Sequence, residues 1–347
     1  MSDVVELAIQ LMQVESTSGG EGAVVAFVGE WLAARGWRVT RIPVSTGRAD
    51  VFATKRDGPF VTFSTHLDTV PPHIPPRLDG RRLWGRGACD AKGIAAAMIC
   101  AADRLDERGV PVALLFVVGE EVSHDGAHAA NQWAARNGVS SRVLINGEPT
   151  ESTLALGTKG AMRMTLRVHG VAAHSAYPNL GLSATRELAR ILAALDDIDL
   201  PRDNVLGDTT INIGVISGGV ADNVVAPSAE ARLMARTVGA PEEVFKRLRD
   251  LVGDRGELYQ GITAPAVRLG VLPGYPTSVV AYATDIPALS NWGTPYLFGP
   301  GSIHVAHRDD EHVEIEELTR AVDAYERLAG DAWSREPSIG LGDPSLE

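Results

Sequence analysis

The segment Val112-Ala113-Leu114-Leu115-Phe116-Val117-Val118 is apolar at every position. A strand with one wet face alternates polar and apolar residues. An unbroken apolar run instead marks a strand covered on both sides. Val61-Thr62-Phe63-Ser64 and Arg142-Val143-Leu144-Ile145-Asn146 read as further buried strands. Helical patterns separate them, an Ala-rich one over 93–105 and another over 127–137. Strands alternating with helices predict an α/β layer, a mostly parallel, twisted sheet with helices on both faces. Two helices precede it. One carries Val4, Leu7, Ala8, Leu11 and Met12 on one face, and the other covers about 23–35 and stops near Gly36.

The pattern changes after Gly157. Met162-Arg163-Met164-Thr165-Leu166-Arg167-Val168 alternates, so one face is wet. A helix is expected over 183–195, strands over 209–216 and 229–237, a helix over 241–252 with Pro241 in its first turn, and a last strand near 266–269. The order β-α-β-β-α-β is the split, ferredoxin-like α+β layout. It predicts an inserted second domain over 158–270. Residues 1–157 and 271–334 then form one discontinuous domain, which regains the chain at Thr294-Pro295-Tyr296-Leu297-Phe298 and ends in a helix over 315–329. The tail 335–347 contains Pro337, Gly340, Gly342 and Pro344 without an apolar period, and is expected to be mobile.

With 347 residues there is room for more than one domain. The formal net charge of -12 argues against nucleic acid or an anionic membrane as partner, since both require basic surface. Two cysteines, Cys89 and Cys100, make no disulfide framework and fit a reducing cytoplasm. The N-terminus lacks a basic segment followed by a long apolar one, and no window reaches roughly 18 apolar residues, so neither a leader nor a membrane span is expected. The glycines of the 16–22 loop lack a following Gly-Lys-Ser/Thr, so a turn is expected there rather than a phosphate cradle.

Chemistry-bearing residues collect at the strand ends. Thr65-His66-Leu67-Asp68-Thr69-Val70-Pro71 closes one apolar run, and Gly85-Arg86-Gly87-Ala88-Cys89-Asp90-Ala91-Lys92-Gly93 follows in a glycine-rich loop. Glu120-Glu121, Glu148 and His307 each follow an apolar stretch. In an open parallel sheet, ligands bind beyond the carboxyl ends of the strands. Two histidines and several carboxylates there form a donor set for a pair of divalent ions, zinc first among them. Two neighbouring ions need one bridging carboxylate and separate terminal ligands, and a water between them is expected to become hydroxide near neutral pH. A carboxylate that is not a ligand must take its proton. Two adjacent glutamates can divide the work of base and ligand. Such a set suits hydrolysis of an amide. Cys89, beside Asp90, can be read as a ligand or nucleophile, but a small buried residue explains it equally well.

Together these segments resemble the co-catalytic zinc amidohydrolases that include acetylornithine deacetylase, succinyl-diaminopimelate desuccinylase, aminoacylase and the glutamate carboxypeptidases. The matching stretches also include Gly147-Glu148-Pro149-Thr150, Ala173-His174-Ser175 and Gly299-Pro300-Gly301-Ser302-Ile303 with Ala306-His307. The resemblance implies that Asp90 bridges two divalent ions, zinc or alternatively cobalt or manganese. It assigns His66 and Glu148 to one ion, Glu121 and His307 to the other, Glu120 as general base, and Asp68 as the residue orienting His66. It also implies that His174 crosses a homodimer interface formed by the inserted lid domain to steady the oxyanion. Asn223, Arg236 and Gly301 match substrate-binding positions, Arg236 gripping a carboxylate through its planar fork. A polar turn residue is the plainer reading of His174, and a solvated strand residue that of Arg236. Ala91 stands where the family often has Met, and Pro227 falls one residue late. His304 offers a rival to His307, while His73, His124 and His128 match no role.

The closest look is to acetylornithine deacetylase, through the 299–303 glycines and the Ala-His-x-x-Asp-Glu pattern at 306–311. The expected substrate is a small N-acyl amino acid of ornithine type, which would place the chain in arginine or lysine biosynthesis. Desuccinylation, hydrolysis of lysine or ornithine from a carrier protein, and dipeptide or folyl-glutamate cleavage are the alternatives. A non-catalytic, metal-bound peptide-binding relative is the alternative outside enzymes.

Overall fold

The computed structural model describes residues 3–334. The chain divides into two compact units, each with its own core. The first comprises the residues up to Leu156, Arg268–Ser278 and those from Thr284 on; the second comprises Gly157–Val267 and Val279–Ala283.

A six-stranded sheet forms the first unit, in the order Arg38–Ser45, Arg48–Thr54, Val112–Val117, Phe60–His66, Ser141–Asn146, Thr294–Leu297. The last four strands are parallel to one another, and Arg48–Thr54 runs antiparallel to both of its neighbours. The sheet is therefore mostly parallel, as its apolar runs require. The alternation of one strand explains why both faces are dry. Val112, Leu114, Phe116 and Val118 enter the core under helices Asp3–Gln13, Lys92–Glu107 and Ile315–Trp333. Ala113, Leu115 and Val117 enter a second core with Ala127, Ala130 and Ala134 of helix Asp125–Asn137 and with Trp292.

The hairpin of Arg38–Ser45 and Arg48–Thr54 has no counterpart among the sequence-based expectations. Its outer strand is mostly exposed and breaks period-two alternation, so its hydrophobic signal is weak.

The second unit is a four-stranded antiparallel sheet in the order Thr210–Gly218, Ser228–Thr237, Gly160–His169, Glu257–Ala264. Met162, Met164, Leu166, Val168, Ala229, Ala231, Leu233 and Ala235 pack with helices Ala184–Ala193 and Pro241–Val252. This is the expected β-α-β-β-α-β layout, with one correction. The strand that completes the sheet is Glu257–Ala264, and the strand expected near 266–269 is Val267–Arg268, a short strand of a separate three-stranded sheet. Glu257–Ala264 is mostly exposed and its register shifts between Gln260 and Thr263, so periodicity does not reveal it. Ser183 caps the first helix by accepting from the Arg186 amide. The expectation of a mobile tail over 335–347 lies outside the described residues.

Candidate metal centre

Parallel register lines up the carboxyl ends of four strands. His66 pairs with Val117, Ser64 with Asn146, and Asn146 with Leu297. The residues that follow these ends therefore gather at one edge of the sheet.

Two ligand groups form there and share Asp90. His66, Asp90 and Glu148 offer one set of atoms within 4.8 Å of one another, and Asp90, Glu121 and His307 offer another. Asp90 Oδ1 lies 3.0 Å from His66 Nε2, and Asp90 Oδ2 lies 3.1 Å from His307 Nε2. His307 Nε2 is also 3.0 Å from Glu121 Oε1, and Glu148 Oε1 is 4.0 Å from His66 Nε2. One carboxylate thus turns one oxygen toward each histidine. His304 is exposed and joins neither group.

Asp68 stands beside His66 through two of its acceptors. His66 Nδ1 lies 2.9 Å from the backbone carbonyl of Asp68, and 3.6 Å from its side-chain oxygen. A carbonyl only accepts, so Nδ1 carries the hydrogen, which in the neutral ring leaves Nε2 with a lone pair to offer a cation. The Asp68 carboxylate, besides facing His66, holds the turn beyond it. It accepts from the amides of Glu120 at 3.1 Å and Glu121 at 3.2 Å, and from Ser18 Oγ at 2.8 Å. It fixes the turn that carries the glutamate pair.

The loop bearing Asp90 is held by Glu311. Its Oε1 accepts from the amides of Gly87 at 2.9 Å, Cys89 at 3.3 Å and Asp90 at 3.3 Å, while Oε2 accepts from Arg86 Nη1 at 2.7 Å. Arg86 and Glu311 are buried, as is Cys89. Burial pushes the Cys89 thiol up, and it joins no ligand group. Cys89 is thus a packed thiol rather than a thiolate ligand. Gly301 adopts φ 85°, and a Cβ there would meet the Cys89 Cβ at 2.6 Å. The Gly301 amide donates to Glu317 Oε1 at 3.0 Å.

Negative charge is in excess at this edge. Burial and the neighbouring Glu148 hold the Glu120 carboxyl well above its ordinary range. Burial does the same to Glu148, with Asp90, Asp285 and Glu121 adding to it. Asp90 and Glu121 raise His307 to about 10. Burial would lower His66, but Asp68 and Asp90 outweigh it and raise it. Clustered carboxylates that cannot all ionise call for cations. The donor set of imidazole nitrogen and carboxylate oxygen fits zinc and admits cobalt or manganese.

His174, Asn223 and Arg236 belong to the second unit. There His174 and Asn223 are neighbours: the Ser175 amide donates to the Asn223 carbonyl at 2.9 Å, and His174 bridges to Val224. His174 is exposed and its Nδ1 accepts from the Ala176 amide at 3.1 Å. Arg236 lies in strand Ser228–Thr237, opposite Thr210 and Ala161.

Sequence reasoning gives no role to His124 or Asp285. His124 Nδ1 lies 2.8 Å from Asp285 Oδ1 and 4.0 Å from Glu120 Oε1. The spacing of Glu120 and His124, four residues apart, is a visible signal. Asp285 has none, because only the fold brings it back.

A sheet edge that gathers two carboxylate–histidine groups, with a ferredoxin-like insertion, defines a metal-dependent hydrolase scaffold. A family profile described as the peptidase dimerisation domain matches residues 156–260. The chain is 37% identical to a probable carboxypeptidase of Aspergillus fumigatus, over 94% of this chain and 86% of that one. It therefore belongs to the M20 peptidase family, whose members hydrolyse amide bonds. Two solved structures show the same fold. A tripeptidase of Staphylococcus aureus matches with a TM-score of 0.81 at 20% identity, covering 96% of this chain and 98% of that one. An M20 family metallo-carboxypeptidase of Sulfolobus solfataricus matches with a TM-score of 0.77 at 17% identity, covering 96% and 99%. The inserted unit is thus a dimerisation domain. The specific likeness to acetylornithine deacetylase finds no support among these relatives, which carry peptidase names. No helix among the described residues is long and apolar enough to cross a membrane.

Proposed function

We propose that this chain hydrolyses an amide bond of a small peptide or N-acyl amino acid at a pair of divalent ions, zinc first. The observation that carries the reading is Asp90, with one oxygen 3.0 Å from His66 and the other 3.1 Å from His307. His66 and Glu148 would hold one ion, Glu121 and His307 the other, and Asp90 both. Bound ions of this kind acidify water and polarise a carbonyl. Glu120 acts as general base, taking the proton from the attacking water and delivering it to the leaving nitrogen. Its raised carboxyl suits both halves of that task. Asp68 holds Glu120 and Glu121 in place through their amides.

The catalytic domain in this reading is 1–157 with 271–334, and 158–270 is the lid and dimerisation domain. His174 steadies the oxyanion across a homodimer. Asn223 contacts the substrate, Arg236 grips its carboxylate, and Gly301 lines the site. Exposed Ile213, Val215 and Ile216 on edge strand Thr210–Gly218 support pairing between two copies. The unpaired Cys89 and Cys100 support a cytoplasmic location.

Peptides with a free carboxyl terminus are the first substrate class, because the relatives carry carboxypeptidase and tripeptidase names. Deacylation of the acetylornithine type is the second, favoured by Gly299-Pro300-Gly301-Ser302-Ile303 with Ala306-His307. The test is amine release by zinc-loaded enzyme from di- and tripeptides, a glutamyl dipeptide, N-acetylornithine, N-acetyllysine, N-acetylmethionine and N-succinyl-diaminopimelate. Release from one class assigns it. Silence across the panel with two ions bound would replace the enzyme reading with a binding role.

A further inference from the structure

A third group repeats the spacing of the His66 group. Glu120, His124 and Asp285 each offer an atom within 4.8 Å of the other two. His124 Nδ1 lies 2.8 Å from Asp285 and 4.0 Å from Glu120. In the His66 group the matching distances are 3.0 Å to Asp90 and 4.0 Å to Glu148. Ligands on a tetrahedral zinc with bonds of about 2.0–2.2 Å stand about 3.4 Å apart. Both groups bracket that separation, so either closes on an ion with small side-chain movements.

Carboxylates crowd the surroundings, offset in part by Arg48 near Asp50 and by His66 near Glu120 and Glu148. Asp285 is 2% exposed and Asp50 is fully buried, with Asp50 Oδ2 lacking a hydrogen-bond partner. Burial is the main cause that raises the Asp50 carboxyl, and Asp285 adds to it; Asp285 also raises Glu120 and Glu148. His124 is the one imidazole in the group, set against Asp285 and Glu120. A divalent cation would meet one nitrogen and two carboxylates, a donor set that zinc accepts.

We propose that Glu120, His124 and Asp285 form a third, weaker zinc site whose occupation inhibits the enzyme. The inference rests on Glu120 being the general base. A carboxylate bound to a cation shares its charge with the ion and is a weaker base, so it takes the proton from water less readily. Weaker binding than at the His66 group follows from the openness of this one, since Glu120 and His124 are only half-buried while His66, Asp90 and Glu148 are buried. Against the Asp90, Glu121 and His307 group, it lacks a carboxylate shared with a second ion.

The test is a titration of the two-zinc enzyme with free zinc, reading bound zinc by equilibrium dialysis alongside turnover. The wild type should take up a third zinc and lose about a hundredfold in rate at saturation, the contribution typical of a general base. His124→Gln and Asp285→Asn should each stop at two zinc ions and hold their own two-zinc rates through the same titration. His304→Gln, an exposed histidine outside all three groups, should behave as wild type. Uptake that ends at two zinc ions in the wild type would overturn the proposal. So would inhibition that persists in both group variants or disappears in His304→Gln. A wild type that binds a third zinc but never hydrolyses any substrate would sink the reading of Glu120 as base and leave the site itself standing.

Discussion

Two charged clusters lie close together in the first unit, and their balance differs. Behind Gly119, Arg48 donates to Glu21 at 2.8 and 2.9 Å and to Asp125 at 2.5 and 3.2 Å. Gly119, at φ 77°, passes so close that a Cβ would strike Asp125 and Arg48. Beyond it, Asp90, Glu121 and Glu148 converge on two histidines, with Asp68, Glu120 and Asp285 beside them. The first cluster satisfies its carboxylates with a guanidinium held within the chain. The second does not, and its glutamate carboxyls are forced upward. A buried polar cluster that closes on itself is a structural device. One left short of cations is built to receive them.

The largest effect that would sharpen this contrast is at Glu120. Glu120→Ala should lower turnover by about 10²- to 10⁴-fold while retaining two metal ions. Near-normal turnover in that variant would remove Glu120 as base.

Next, Arg48→Met should leave Glu21 buried without its partner and cost about 3 kcal/mol in denaturant unfolding, with metal content unchanged. Loss of metal in this variant would merge the two clusters into one and break the comparison. Chelation should produce the opposite pattern. Removing the ions should destabilise the wild type by about 3 kcal/mol relative to enzyme in metal at a hundred times its dissociation constant. Asp90→Asn should show little of that dependence, and equal stabilisation of both proteins by zinc would place the ions elsewhere.

The smallest effect concerns pH. Burial would raise the Asp125 carboxyl, but bonds from Arg48 and Ser123 outweigh it and lower it. A lowered carboxyl contributes stability that is present above its ordinary value near 4 and is lost as pH falls through the lowered value. The stability of the wild type should therefore fall more steeply below about pH 4 than that of Arg48→Met. Parallel slopes would show that Arg48 does not hold Asp125.

The contrast also marks what the sequence can reveal. His66, Glu120, Glu121 and Glu148 stand just past buried apolar runs, which point to them, whereas Asp90 lies in a glycine-rich loop and the preference for His307 over His304 needs the family resemblance. The parallel strands are readable from the same runs. The residues that support them are not. Asp285 returns to Glu120 and His124 across more than 150 positions, and no local pattern encodes that approach. The cradle that Glu311 makes for the Asp90 loop spans a still longer stretch of chain. The outer strands Arg38–Ser45 and Glu257–Ala264 escape such a reading because exposed edges carry little hydrophobic period. His66 illustrates the limit at finer scale. Asp68 is the expected support of His66, and its nearer acceptor is the backbone carbonyl, which no side-chain pattern reports.

The central claim is that Asp90 is shared by two cation sites. The most direct test is the number of zinc ions retained per chain after loading and removal of loosely bound metal, in the wild type, Glu148→Ala and His307→Ala. Two ions in the wild type and one in each variant are expected, each variant keeping the site it does not touch. A single ion in the wild type, or both ions retained in either variant, would contradict the account.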